Sequence, residues 1–465
     1  MSNLNYFNQG YSEFLTQKEI VFKPSGFQIN RDDISPVLFE FQRDLVLYAL
    51  RKGKAGIFAD TGLGKTHCQV VWADKVNQEY KKPVLIVAPL GVAFQTIDIA
   101  TKFFNIGIVY SNDGKPKSNI TITNYEHAKK FNPNDYWGIV ADESSVFKSV
   151  NGHYKKLLTE MFANTPMKLS CTATPNPNDD EEIANQVGWL GIMTREDLLS
   201  TFFVHDEKTY RLKGHAETKF YKWMASWGIA LQKPSDLGYD DNGFILPKLN
   251  VYPHFISSDY VGNDDLFFTG LKGIRDRIAV RRQTYEIKCL AAAEIVNQSD
   301  EQWIIWCGLN PESKLSNKLM KESVEVTGTD PLEKKIEIFR KFQNKQIKVL
   351  VTKPKIAGFG LNFQNSWNNI SIGMTDSYEI PYQYIRRQYR FGQTHEVNSH
   401  FFLAEAERQI WNNFLRKEAR ANKQRRALIE NVAEFEKMEI TNLSQRMDYI
   451  PQIAFRLPRF LNGKH

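Results

Sequence analysis

Phe58-Ala59-Asp60-Thr61-Gly62-Leu63-Gly64-Lys65-Thr66 is the stretch whose reading decides the fold. An apolar lead-in opens into two glycines and a Lys-Thr pair, and His67-Cys68-Gln69-Val70-Val71-Trp72-Ala73 can run on as a helix. Gly62 and Gly64 permit a tight bend that aims backbone N–H groups at phosphate oxygens, with the partial positive charge of a helix N-terminus beneath them. Lys65 then reaches β/γ-phosphates and Thr66 holds Mg²⁺, so the whole loop from Thr61 through Gly62, Leu63 and Gly64 to Thr66 is expected to bind a nucleotide. Ala59 stands where the first glycine of G-x-x-x-x-G-K-[ST] falls. A chance Gly-Lys-Thr turn is therefore the competing explanation, and the rest of the chain must decide.

With 465 residues, 42% hydrophobic and 24% charged, the chain is globular and long enough for two domains, each with its own core. The net charge of +7 permits nucleic-acid binding and equally serves ordinary solubility. Cys68, Cys171, Cys289 and Cys307 are scattered, with no C-x-x-C pair, so neither a zinc site nor a disulfide framework is indicated and a reducing compartment fits. No apolar run approaches the roughly 18–20 residues of a membrane span, and the polar start lacks a cleavable apolar segment, which leads us to expect a soluble intracellular protein.

From the loop outward, the chain alternates strand and helix patterns, the signature of an α/β fold with parallel sheets and sites along their C-terminal edges. Before the loop, residues 37–50 carry apolar side chains at helical spacing, and Gln42 on that helix can pair with an adenine edge or simply face water. After it, residues 83–89 and 119–126 read as strands. Residues 137–141 form a third that delivers Asp142-Glu143-Ser144-Ser145 at its end. Asp142 can hold Mg²⁺ through water and Glu143 can orient the attacking water. Alone, such a pair is usually a solvated turn; downstream of Lys65-Thr66 it reads as catalytic. Lys168 to Cys171 is one more strand, and the hydroxyls of Thr172-Ala173-Thr174-Pro175 either bond the carboxylates and the next domain or merely cap a turn.

Residues 195–245 break the rhythm and read as an insertion or linker, whose basic and aromatic run 215–223 either packs as a small subdomain or touches nucleic acid. A second rhythm starts near Leu246, with strands at 302–307 and 347–352, a helix over 331–340 and a tight loop Gly358-Phe359-Gly360-Leu361-Asn362. In Gln383 to Gln393, Arg387 and Arg390 are three apart, which on a helix puts both guanidinium groups on one face toward one phosphate chain, whereas Arg386 reads as solvated. Residues 404–438 form a charged helix; Ile410, Trp411, Phe414 and Leu415 can bury one side, and the basic run from Arg416 to Arg426 is either a solvated face or a phosphate-tracking surface. The expected division is a lead-in 1–35, a nucleotide-binding domain 36–194, the linker 195–245, a second domain 246–438 and a tail 439–465.

Taken together, these stretches resemble the superfamily-two helicases, and within them the Swi/Snf-type DNA translocases and their compact bacterial and phage relatives. The resemblance runs from about Phe39 to Gln393. Asp60 to Thr66 looks like motif I, Asp142 to Ser145 like motif II, Thr172 to Pro175 like motif III, Gly358 to Asn362 like motif V, and Gln383 to Gln393 like the Swi/Snf form of motif VI. The resemblance implies two RecA-like domains, each a mostly parallel sheet flanked by helices, with ATP in the cleft between them. Lys65 and Thr66 would hold phosphates and Mg²⁺, Asp142 the metal, Glu143 the water, Gln42 the base, and Gly360 would line the nucleotide site. Arg387 and Arg390 would reach across from the second domain. DNA, duplex or branched, would lie over residues near Pro89, Thr123-Asn124-Tyr125 and the second-domain loops. A replication, recombination or repair protein is an implied partner, no membrane is involved, and the implied location is the cytoplasm of a bacterial or infected host cell. The function expected is ATP-driven movement along duplex DNA. The alternatives are strand separation or branch migration on forks, and an ATP-switched module that recruits a partner protein.

Overall fold

Runs such as Val84-Leu85-Ile86-Val87-Ala88, apolar and buried along their whole length, belong to strands covered on both faces. A computed structural model of the chain describes residues 22–148, 153–176, 180–206, 209–257, 274–357, 361–375 and 377–440. Its first sheet is built from β1 (Lys54–Ala59), β2 (Val84–Ala88), β3 (Ile108–Tyr110), β4 (Ile120–Asn124), β5 (Gly138–Asp142), β6 (Met167–Cys171) and β9 (Gly228–Leu231). The spatial order is β3-β4-β2-β5-β6-β1-β9, every pair parallel. Between β6 and β9 the chain makes an antiparallel pair, β7 (Phe203–Asp206) and β8 (Thr209–Leu212).

The register explains why the loops carrying Lys65, Asp142 and Thr172 meet. Cys171 at the end of β6 lies level with Asp142 of β5 on one side and Ile57 of β1 on the other. Three loops, after β1, β5 and β6, therefore leave the same edge side by side. Helix α1 (Glu40–Lys52) precedes β1, and α2 (Lys65–Tyr80) follows it, burying Val70, Val71, Trp72 and Ala73 on the sheet. Each large apolar side chain so buried contributes about 1.5–3 kcal/mol.

The stretch 195–245, expected as an insertion or linker, supplies β9 to this sheet and a helix, α3 (Glu217–Ala225). Phe220, Tyr221 and Trp223 of α3 are buried in the first core, so the aromatic half of the 215–223 run packs inward.

The second sheet contains β10 (Leu249–Ile256), β11 (Trp303–Cys307), β12 (Ser323–Glu325), β13 (Val349–Thr352), β14 (Asn368–Ile372) and β15 (Val397–Ala404), in the order β10-β15-β14-β11-β13-β12, again all parallel. The protein is thus α/β, with two RecA-like sheets flanked by helices. Helix α4 (Ile274–Asn297) packs behind this sheet, where Arg281 bonds Glu312 and Lys288 bonds Glu407 as buried ion pairs. Helix α5 (Glu379–Ile385) ends where the arginine segment begins.

The last helix, α6 (Arg408–Ile440), belongs to both cores. Ile410, Trp411 and Phe414 bury in the second, Leu415 stays exposed, and further along Leu428 is buried in the first, against α3 and β9. Its basic run is not one solvated face: Lys423 pairs with Glu217 at 2.9 Å, and Arg425 turns inward among Tyr378, Tyr382 and Asp60. Among the described residues, no helix is long and apolar enough to cross a membrane.

Candidate active site in the cleft

The loop between β1 and α2 takes its shape from its glycines. Gly62 and Gly64 have φ of 95° and 79°, and Gly64 caps α2. A Cβ on Gly64 would stand 2.2 Å from Gln42 Nε2, and one on Gly62 would stand 2.6 Å from the backbone N of Phe391, a residue of the second domain. The loop is therefore packed from both sides. Lys65, first residue of α2, curls back so that its ammonium donates to the carbonyls of Ala59 (2.8 Å) and Asp60 (3.3 Å). Thr66 follows it on the first turn of α2, Thr61 donates its N–H to Asp60 Oδ1, and Leu63 is buried.

Gln42 is fixed by the loop it faces. Its Nε2 donates to the carbonyl of Leu63 at 3.0 Å, and its Oε1 accepts the N–H of Phe39 at 3.1 Å. The solvated alternative for Gln42 does not hold, since only 4% of it is exposed. Beside it, rings from three separate stretches of chain meet: Phe39, Phe244 and Phe391, with centroids 5.1 Å (39–244) and 4.6 Å (244–391) apart.

The carboxylates sit at the end of β5. Asp142 Oδ1 accepts Gln69 Nε2 at 2.6 Å and the N–H of Glu143 at 3.0 Å, while Oδ2 is buried with no hydrogen-bond partner. Burial, and then the neighbouring Glu143, push the Asp142 carboxyl up to about 6. Glu143 has a φ of 51°, a left-handed conformation uncommon for a residue with a side chain. A buried carboxylate oxygen lacking a partner, beside a lysine-bearing phosphate loop, is the donor type a hard divalent cation takes. Asp142 therefore fits Mg²⁺; among the described residues, no group of three or more Asp, Glu, His or Cys side chains is placed to hold a metal ion by itself.

The surroundings of the pair differ from expectation in two places. Thr172 and Thr174 do not bond the carboxylates: Thr172 Oγ1 accepts the N–H of Thr174, a turn of its own. The hydroxyl that supports this loop belongs to Ser170, inside β6, which lies 2.7 Å from both Ser144 Oγ and Gln186 Oε1, while Gln186 Nε2 donates to the Ser144 carbonyl. Tyr125 does not face outward toward nucleic acid either. Only 7% exposed, it donates its hydroxyl to the carbonyl of Asp142 at 2.7 Å, and Thr123 and Asn124 are buried with it.

The arginine segment arrives from the second domain, but not on a helix. Helix α5 stops at Ile385, and Arg386 to Gln388 form turns closed by N–H to C=O bonds from Arg387 to Tyr384 and from Gln388 to Ile385. The shared helical face expected for Arg387 and Arg390 is thus replaced by a tight turn. The turn still brings Arg387 to the carboxylates: its guanidinium donates to Gln383 Oε1 at 3.1 Å and stands 4.0 Å from Glu143 Oε1. Burial lowers the Arg387 pKa; burial and then the charge of Arg387 bring Arg390 down to about 10.

Arg386, expected to be solvated, is where the structure departs most from the sequence reading. Its guanidinium lies 3.0 Å from Asp60 Oδ2, between the rings of Tyr382 and Tyr389. Tyr382 donates its hydroxyl to Asp60 Oδ1. Burial opposes ionisation of Asp60, yet Arg386, Arg425 and Tyr382 together hold its carboxyl below the ordinary value. Nothing in the sequence marked Tyr382 or Asp60 as partners 322 residues apart. Gly360, the remaining nucleotide-site candidate, lies outside the described residues.

A further cleft opens at the C-terminal edge of the second sheet. About 310 Å³ in volume, it is lined by Gly308, Lys353, Lys355 and Thr375 among others.

Compared with known families, residues 34–177 match the family described as type III restriction enzyme, res subunit, a helicase-like family of superfamily two. The match begins just ahead of α1 and ends beyond β6, so it takes in the phosphate loop and the carboxylate pair and stops short of the second sheet. No curated protein matches the chain.

Proposed function

We propose that this protein is a nucleic-acid-stimulated ATPase that uses hydrolysis to move along duplex DNA. The observation that carries the reading is the meeting of Glu143 with Arg387 across the cleft, 4.0 Å apart, beside the loop that holds Lys65. The likeness of the first domain to a helicase-like family supports the same reading.

In this mechanism the backbone N–H groups of Thr61 to Thr66 and the Lys65 ammonium grip the phosphates, and Gln42 orders the loop beside the base. Thr66 and Asp142 would hold Mg²⁺, which when bound neutralises charge on the β- and γ-phosphates. Glu143 orients a water in line with the γ-phosphorus and takes its proton as the new P–O bond forms and the bond to the ADP oxygen breaks. Charge spreads over the γ-oxygens in that transition state. Arg387 and Arg390 neutralise it only when the second domain is seated, which makes turnover depend on whatever seats it. Duplex DNA bridging the two domains is the natural effector, and Lys353 and Lys355, on the wall of the otherwise largely apolar cleft at the edge of the second sheet, would supply phosphate contacts on that side.

The test is the ATPase rate measured with no nucleic acid, single-stranded DNA, duplex DNA and RNA. Stimulation by duplex DNA above the others is expected, together with triplex-strand displacement without fork unwinding. A rate that no nucleic acid changes would refute the motor reading.

A further inference from the structure

A carboxylate is an unexpected side chain for a loop that binds polyanions, and Asp60 is buried in one, with 6% of its surface exposed. Removing such a charge from water costs several kcal/mol unless its surroundings compensate, and an apolar residue of similar size would often serve stability as well. Asp60 is compensated almost entirely from outside its own domain. Within the loop its carboxylate accepts the N–H of Thr61. From the second domain come the Tyr382 hydroxyl on Oδ1 and the Arg386 guanidinium on Oδ2, and from α6 comes the charge of Arg425, whose guanidinium stands over the Tyr382 ring.

The residues gripping Asp60 are also those that deliver the arginines. Tyr382 lies on α5, and Arg386 is its first residue beyond the helix, immediately before Arg387. The turn is stiff. Gln388 Nε2 donates to the Asn368 carbonyl and to Ser366 Oγ, its Oε1 accepts Asn369 Nδ2, and Gln393 Nε2 donates to the Gln388 carbonyl. A displacement of Arg386 is therefore passed on to Arg387 and Arg390 rather than absorbed between them.

We infer that Asp60 is a docking residue for the arginine segment: by gripping Arg386 and Tyr382 from the phosphate loop, it registers Arg387 and Arg390 against Glu143. Asp60 and Arg386 are positioning residues, acting on turnover through the arginines without touching the nucleotide. The inference rests on the reading of the cleft as an ATPase site and adds to it a second link between the domains, distinct from the arginines themselves.

Three variants test it: Arg386→Met, Asp60→Asn and the two combined, each assayed for DNA-stimulated kcat, affinity for a fluorescent non-hydrolysable ATP analogue, and melting temperature. Asp60→Asn retains the acceptor oxygen for Thr61 and Tyr382, so it preserves the loop. Each single variant is expected to lower kcat by about 10–100-fold, the scale of a misplacement near 1 Å, with analogue affinity within about threefold of the parent. Arg386→Met also leaves Asp60 a less compensated buried charge, so its melting temperature falls; adding Asp60→Asn restores it. In the double variant kcat stays low, and no lower than in the worse single, because both changes remove one contact. Recovery of kcat together with melting temperature would reduce the pair to a structural role and overturn the inference, as would parental kcat in Arg386→Met. Lys65→Ala is assayed alongside: hydrolysis that survives it refutes the ATPase reading of the cleft itself, whereas loss of hydrolysis there with parental kcat in Arg386→Met refutes the docking role alone.

Discussion

Gly62→Ala is the smallest change that tests whether the two domains meet as described. At φ 95° an added side chain strains the backbone, which costs about 1–2 kcal/mol. The larger effect is steric. The new Cβ stands 2.6 Å from the backbone N of Phe391 and 3.1 Å from its Cβ, where ordinary contact begins at 3.4 Å. Phe391 has little room to yield, because Gln364 donates its amide to the Phe391 carbonyl and Phe244 packs on its ring. The second domain must therefore withdraw by about 0.8 Å, carrying with it Arg390, one residue upstream; misplacement of that size costs about 10²-fold in rate. We expect DNA-stimulated kcat to fall by about that factor, with nucleotide affinity changed much less. Gly64→Ala gives the contrast: its Cβ meets the end of the Gln42 side chain, 2.2 Å away and within the first domain, so nucleotide affinity should suffer first. Steady-state turnover and binding of a fluorescent ATP analogue, measured on both variants, decide the matter. If Gly62→Ala turns over within threefold of the parent, the close seating of Phe391 on the phosphate loop has no part in hydrolysis.

Glu143→Gln should bind ATP as the parent does while hydrolysing it orders of magnitude more slowly, since only proton acceptance is lost; a near-parental rate would exclude Glu143 as the base. Arg390→Ala should leave ATP affinity nearly intact and remove most DNA-stimulated turnover, an arginine finger contributing about 10³–10⁵; retention within a few-fold sinks that role. Lys168, fully buried in β6 with its ammonium donating to the Trp189 carbonyl at 2.9 Å, has its pKa lowered by burial, and then by Lys54, from 10.5 to about 7. The folded state thus binds this proton less tightly than the unfolded chain, so Lys168 opposes folding in full below about pH 7 and ceases to do so above 10.5. Lys168→Met should therefore stabilise the protein at pH 7 by about 1–2 kcal/mol, below the ceiling of about 5 kcal/mol set by the shift because the carbonyl bond is lost. Thermal melts at pH 7 and pH 10 check it, the gain shrinking at the higher pH.

What the sequence made legible was whatever depends on local pattern. The stretches 83–89, 119–126 and 137–141 became β2, β4 and β5, each within a residue or two: β2 and β5 are runs of Val, Ile, Leu and Ala, as strands covered on both faces tend to be, and β4 alternates the β-branched Ile and Thr. That residues 60–64 form a loop between β1 and a helix, and that Asp142-Glu143 falls at the end of β5, was readable from residue order along the chain. By contrast, β14 reads Asn-Asn-Ile-Ser-Ile, too polar and short to announce itself, and β9 lay in a stretch whose aromatic and basic residues suggested something other than a sheet edge. The arginine segment departs from its local pattern for a physical reason: three-residue spacing suits a helix, but the chain leaves α5 at Arg386, so the residue expected on the solvated side is the one that binds Asp60. Contacts between residues 322 positions apart leave no trace in local periodicity.

The double membership of α6 bears on how the chain matures. The first domain is synthesised first, yet its core is finished by Leu428, near the far end of the described chain, wedged against α3 and β9. While the ribosome is still making the second domain, the nascent first domain exposes the apolar seat of that helix. Contacts of such long sequence separation close slowly, and a partly covered core awaiting its last element is the kind of species that aggregates or recruits chaperones. Acquisition of a protease-resistant first domain is accordingly a late event in synthesis, arriving only with the helix that ties it to its neighbour.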